Sequence, residues 1–217
     1  MNWHKVALVI TVFCLLAIIP ISTAQEDIRT LDVSIEMDES WTASGKLNLP
    51  AEGDAPFPTV ILYHGSGLWD MDATYPAPDG TILSSNFAFI AEELAAQGIA
   101  VLSYNKRGVI AFGEYDQSQV QAAQMLPQLV SDAETVLAFA QEQPEVGEIY
   151  LYGWSEGAWV ASHVANRHAE DITGVILQAP PNQMIDGILQ YQHLEVGLPY
   201  LAEAIDTDAS GTLTIEE

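Results

Sequence analysis

The stretch from Ile149 to Ser162 limits the possible folds more than any other part of the chain. The apolar run Ile149-Tyr150-Leu151-Tyr152 leads into Gly153-Trp154-Ser155-Glu156-Gly157, and the helix-forming Ala158-Trp159-Val160-Ala161-Ser162 follows at once. Strand, Gly-x-Ser-x-Gly, helix is the order of a nucleophile elbow, a sharp turn that lifts a serine hydroxyl clear of a sheet. The flanking glycines leave room for neighbouring backbone, and the helix that follows points its partly positive end at the reacting oxygen. Ser155 is therefore the candidate nucleophile. A plain strand-to-helix turn is the other reading of the same five residues.

A second signal lies upstream. Pro58-Thr59-Val60-Ile61-Leu62-Tyr63 reads as a buried strand that runs into His64-Gly65-Ser66-Gly67. A glycine-rich turn at a strand end can aim backbone N–H groups at one point. In acyl transfer such groups hold the negative oxygen of the tetrahedral intermediate, and one donor lowers the barrier by about 3–4 kcal/mol. The candidate oxyanion residues are Ser66 in this loop and Glu156, whose N–H follows the nucleophile. His64 precedes the serine, against the Ser, acid, His order of such sites. It reads as an imidazole that braces the loop.

Three motifs now stand in order: His64-Gly65-Ser66-Gly67 with Asp70 and Asp72 nearby, Tyr104-Asn105-Lys106-Arg107-Gly108, and the Gly-x-Ser-Glu-Gly elbow. Together they resemble the α/β-hydrolase superfamily, in its bacterial esterase, dienelactone-hydrolase-like and serine-aminopeptidase-like branch. In that branch the motifs read His-Gly-Ser-Gly-Pro-x-Asp-Arg-Asp, Tyr-Asp-Lys-Arg-Gly and Gly-His-Ser-Glu-Gly. The chain departs with Leu68 for the proline, Asn105 for the aspartate and Trp154 for the elbow histidine. The resemblance runs from about Leu31 to Pro181. It implies a hydrolase acting on ester or amide bonds of a small-molecule or peptide substrate, without specifying which.

The beginning of the chain reads as an export signal. Lys5 precedes an unbroken apolar run from Val6 to Ile19, and Pro20-Ile21-Ser22-Thr23-Ala24 ends in small residues. This is the pattern of a signal peptide cleaved after Ala24, and the run is short against the roughly 20 residues of a membrane span. An uncleaved anchor is the alternative. Cleavage leaves no stable membrane span and predicts a periplasmic or extracellular protein. It also removes Cys14, the sole cysteine, so the mature chain folds without disulfides, as a domain large enough to bury a real core can.

Thirty acidic residues face six basic ones, a formal charge of −24. Such a surface repels nucleic acid and anionic headgroups and attracts cations. Plain solubility or a saline habitat accounts for it equally well.

The order of elements predicts a three-layer α/β-hydrolase fold with a mostly parallel sheet, an antiparallel N-terminal hairpin and an incomplete C-terminal edge. Residues 31–37 alternate as a half-buried strand, and residues 41–49 form its antiparallel partner. A helix is expected over 86–97, stopped by Gly98, then a buried strand over 100–104. A helix over 129–143, the elbow, and a strand over 174–178 complete a core assigned to 25–181.

Residues 182–217 differ in character. From Met184 to Ile205 the chain reads as a helical, cap-like segment interrupted near Gly197-Leu198-Pro199. It leads into a loop at 206–217 that resembles an EF-hand. Asp206, Asp208, Ser210, Thr212, Thr214 and Glu217 occupy its ligand positions, and Gly211 sits at the sharp turn. Calcium wants about seven oxygens, and a glutamate at the last position can give two. A solvated acidic turn and a dockerin-type loop are the alternatives.

No acid or base can be assigned to Ser155. His163 and His168 lie on or just after the elbow helix, and His193 lies in the cap-like segment. Asp171 and Asp186 come too soon after the elbow for the later strand where the acid is expected. The expectation is an N-terminal fragment of a longer protein. Two readings follow: an exported serine hydrolase with a calcium loop, or a calcium-binding protein on a non-catalytic hydrolase scaffold.

Overall fold

The computed structural model describes residues 28–183 and 185–213. The expected signal peptide, Thr214 and Glu217 lie outside the described residues.

Ten strands occur in chain order: β1 (Arg29–Asp38), β2 (Trp41–Leu49), β3 (Phe57–Tyr63), β4 (Thr74–Pro76), β5 (Ile82–Ser85), β6 (Ala100–Tyr104), β7 (Val109–Ala111), β8 (Glu114–Tyr115), β9 (Val146–Trp154) and β10 (Gly174–Gln178). Six of them build one sheet in the order β1-β2-β6-β3-β9-β10. β1 pairs antiparallel with β2, and β2 antiparallel with β6. From β6 onward the pairs are parallel. This is the predicted hairpin joined to a parallel core.

The central strands are buried on both faces, so their sequences run nearly continuously apolar. Alternation then sorts side chains between two layers. Ile61, Tyr63, Leu102 and Leu151 face α2 (Leu126–Gln141) and α3 (Glu156–Arg167). Val60, Leu62 and Val101 face α1 (Asn86–Ala96), through Phe87 and Ala91. Each fully buried Leu or Val contributes about 1.5–3 kcal/mol. Helices on both faces of a mostly parallel sheet make the predicted three-layer α/β architecture.

Several boundaries differ from the sequence reading, for physical reasons. α2 begins at Leu126, not Leu129, because Pro127 in the first turn needs no N–H partner and fixes a helical φ. α1 stops where predicted, with Gly98 at φ +86°. The hairpins β4–β5 and β7–β8 were not foreseen; each follows a strand of the main sheet, β3 and β6 respectively, and forms a separate two-stranded sheet. The segment after β10 is helical from α4 (Ile185–Leu189) through Ile205. Gly197 and Leu198 keep right-handed helical backbone, so the expected interruption takes another form: π-type turns at Gln190–Gly197 and Leu201–Ile205 flank Leu198–Tyr200. No helix among the described residues is long and apolar enough to cross a membrane.

Candidate active site

Ser155 joins β9 to α3 with φ +53° and ψ −119°, a conformation that a non-glycine residue rarely adopts and that marks strain. Its N–H donates to the Gln178 carbonyl at the end of β10, 2.9 Å away. The flanking glycines are sterically required. A Cβ on Gly153 would lie 2.3 Å from the Gly157 oxygen, and one on Gly157 only 2.2 Å from the Tyr63 oxygen. The turn is therefore tight against both α3 and the end of β3.

The loop after β3 lies beside it. A Cβ built on Gly65 would come 3.4 Å from Ser155 Cβ, which puts the next residue, Ser66, one step from the elbow. Ser66 and Glu156, the two candidate oxyanion residues, line one cleft of about 320 Å³ together with Gly67, Leu68, Ala123 and Gln124.

A cation that the sequence reading did not single out holds these parts together. Lys106, 4% exposed, donates to the Gly65 carbonyl at 2.9 Å and to Glu156 Oε2 at 2.8 Å. One ammonium thus ties the β3 loop to the residue that follows the nucleophile. Burial lowers its pKa, opposed by the Glu156 carboxylate. The loop carrying Lys106 is itself anchored. Arg107 makes a two-pronged pair with Asp132 of α2, at 2.8 and 2.5 Å, and reaches Asp38 and Gln119. Asn105, where relatives carry aspartate, accepts from the Met71 N–H and donates to the Ile110 carbonyl. The sequence signal for this network was the Tyr104-Asn105-Lys106-Arg107-Gly108 motif, which begins on the last residue of the fully buried β6.

His64 sits where the sequence reading put it, as a brace. Its Nε2 lies 3.0 Å from the Asp70 carbonyl, so that nitrogen carries the proton and Nδ1 is unprotonated. The ring packs on Phe87 and Tyr104. Burial, reinforced by the positive Lys106, pushes its pKa down to about 3. Because the folded value lies below the unfolded value of about 6.5, the stability linked to neutral His64 is complete above that pH and is lost as pH falls toward the folded value. Moving from pH 7.5 to 5 is expected to cost about 2 kcal/mol through this one group. His64→Gln should shrink the pH 7.5-to-5 difference in urea unfolding free energy by that amount; an unchanged difference would contradict the assignment.

The other histidines are elsewhere. His168, at the far end of α3 and about 18 Å along it from Ser155, lies 3.4 Å from Glu134 and 3.8 Å from Asp171. His163 is exposed on α3, and His193 contacts the Leu189 carbonyl. Asp186 accepts the Gly187 N–H. Among the described residues, none of these shares a hydrogen bond with Ser155.

The acidic loop is curled. Ala209 and Gly211 have φ of +54° and +74°. Asp206 accepts the Ser210 and Gly211 N–H groups at 3.0 and 2.8 Å, Asp208 accepts the Ser210 N–H at 2.9 Å, and Ser210 Oγ donates to the Thr212 carbonyl. Hydrogen bonding from Ser210 holds the Asp208 carboxyl below its ordinary value. Each carboxylate oxygen that takes one N–H keeps a second lone pair, so the donor types suit a hard cation. No group of three or more acidic, His or Cys side chains converges among the described residues.

Comparison with known proteins places this geometry. The family model for serine aminopeptidase, S33, matches residues 82–204. Esterase EstD of Thermotoga maritima is 32% identical over 148 residues, which are 68% of this chain and 32% of the esterase. Two solved structures share the fold, Est1E from Butyrivibrio proteoclasticus and the dienelactone hydrolase of Anabaena variabilis. Each has a TM-score of 0.52 and 18% identity; they cover 73% and 70% of this chain and 54% and 64% of their own lengths. The chain thus spans about a third of the curated esterase it matches.

Proposed function

The chain belongs to the serine aminopeptidase family, S33, of the α/β-hydrolase superfamily, and on that premise we propose that the protein is an exported serine hydrolase. In this reading Ser155 Oγ attacks the carbonyl carbon of an ester or amide in a small molecule or peptide. The N–H groups of Ser66 and Glu156 hold the oxygen as it becomes negative. Collapse breaks the carbonyl bond to the alcohol or amine, which leaves with the proton that Ser155 gave up. Water then cleaves the acyl-enzyme, releasing the acid and restoring the serine hydroxyl. The observation that carries the reading is the strained Ser155, set between glycines that tolerate no Cβ and beside the Lys106 clamp. Export rests on the leader-like residues 1–24, and the strongly acidic surface speaks against nucleic-acid partners.

Protein expressed from the complete reading frame should release a burst of nitrophenol from p-nitrophenyl acetate, about one per molecule, ahead of steady turnover. The second reading, a calcium-binding protein on a silent scaffold, is favoured by the lack of a histidine hydrogen-bonded to the Ser155 hydroxyl among the described residues. It predicts neither burst nor turnover.

Calcium is the proposed ion of the 206–217 loop. Asp206, Asp208, Ser210 and Thr212 would hold it, with Thr214 and Glu217. Three carboxylates, with Ser210 where an Asp or Asn would bind more strongly, imply a Kd of about 10⁻⁵ to 10⁻³ M. Bound calcium would brace the segment by mass action. Calorimetry on the full-length protein should find that affinity, and Glu217→Gln should weaken it. Sub-micromolar binding would refute the brace, and identical titrations of the two proteins would remove the calcium site.

A further inference from the structure

The two unforeseen hairpins line a second cleft, of about 410 Å³, which shares Gly67 and Leu68 with the cleft that holds Ser66 and Glu156. Trp69 and Tyr75 from the β3 side face Phe112 and Tyr115 from the β6 side. Its size falls within the range of small-molecule sites. Tyr75 is 53% exposed and Phe112 46%, more open ring than core packing would leave.

The rings connect to the nucleophile. Trp69 lies 5.3 Å from Trp154, the residue before Ser155, and stacks on Tyr75 at 6.4 Å with 26° between the planes. Its indole N–H donates to the Ser66 carbonyl at 2.7 Å, so the candidate oxyanion residue itself orients the ring. Among the residues lining the cleft, Asp70 alone is charged, and both its oxygens are occupied by the Thr74 N–H and hydroxyl, at 2.7 and 2.8 Å. That one charge is satisfied within the protein. What remains to recognise a ligand is a near-parallel pair of rings, the tyrosine hydroxyls and an apolar wall, which suit another flat, uncharged ring.

We infer that this cleft binds an aromatic ring of the substrate, making the protein selective for aryl-bearing over alkyl esters. The inference rests on the acyl-transfer reading of Ser155. The test measures kcat/KM for two matched pairs, methyl 3-phenylpropanoate against methyl hexanoate and benzyl acetate against butyl acetate. These put the ring on the acyl side or the alcohol side without activating the leaving group. The phenyl member of one pair should be preferred by about tenfold or more. The ratio should fall toward unity in Tyr75→Ala and in Phe112→Ala, two exposed positions at which loss of folding is not expected.

Equal rates within both pairs, or a preference that survives both substitutions, would overturn the inference while leaving Ser155 as nucleophile. So would a preference for acetylcholine over its uncharged 3,3-dimethylbutyl analogue, which would make the rings a cage for a cation. The reading of Ser155 fails separately, if Ser155→Ala keeps its ester turnover or if no ester is turned over at all. Saturation-transfer NMR with benzyl alcohol on the Ser155→Ala protein still decides the cleft: transfer that Tyr75→Ala removes supports it, and no transfer refutes it.

Discussion

Replacing Ser155 with alanine in protein expressed from the complete reading frame is expected to lower ester turnover about 10⁴- to 10⁶-fold. Alanine has no oxygen to form the acyl-enzyme, and water must then attack without a positioned base. The fold should survive, because the strain at φ +53° belongs to the turn and not to the hydroxyl, which is on no structural hydrogen bond among the described residues. Some acceleration above water should remain from the Ser66 and Glu156 donors. A variant that keeps a tenth or more of the activity would mean that another residue carries the chemistry.

The second large effect concerns stability. Asp132→Ala should destabilise the fold by about 3–5 kcal/mol, the cost of stranding a buried charge. Arg107 is 2% exposed, and Asp132 takes its Nε–Nη2 edge with both carboxylate oxygens. That pairing holds the guanidinium pKa above its ordinary value, so Arg107 cannot escape by losing its proton. Asp38 remains as a partner, but its side chain is 42% exposed and screened by water. Urea unfolding should show a lower midpoint with an unchanged slope. Replacing both residues by leucine should recover much of the loss, since the pair's desolvation then disappears as well. A loss below about 1 kcal/mol for Asp132→Ala would show that the network is not buried as described. The consequence reaches the site, because Arg107 anchors the loop from which Lys106 clamps Gly65 to Glu156.

How much of this could be read from the chain depends on how local the signal was. The geometry of the elbow was readable because five consecutive residues set it, and the glycines at 153 and 157 are demanded by backbone contacts the pattern encodes. The sheet was readable because its central strands are continuous apolar runs, which differ plainly from the helices between them. The Lys106 clamp was not, because its partners lie 41 and 50 residues away in sequence and nothing local distinguishes a clamping lysine from a solvated one. Asp132 was hidden for the same reason: it lies on α2 among apolar positions and looks like a polar face until Arg107 is folded onto it. The hairpins that build the aromatic cleft are strands of two to four residues, made by turns at Gly80 and Gly113 and too short for any alternation to show. Proline at 199 suggested a broken helix, yet the backbone absorbs it by loosening into π-type turns.

The central claim is that Ser155 is the nucleophile of an acyl hydrolase. The most direct measurement is covalent labelling with a fluorophosphonate, followed by proteolysis and mass spectrometry of the labelled peptide. The account predicts a single phosphonyl group on the peptide containing Gly153-Trp154-Ser155-Glu156-Gly157, located at Ser155 and missing from the Ser155→Ala protein. Labelling at a different serine, or equal labelling of both proteins, would contradict it.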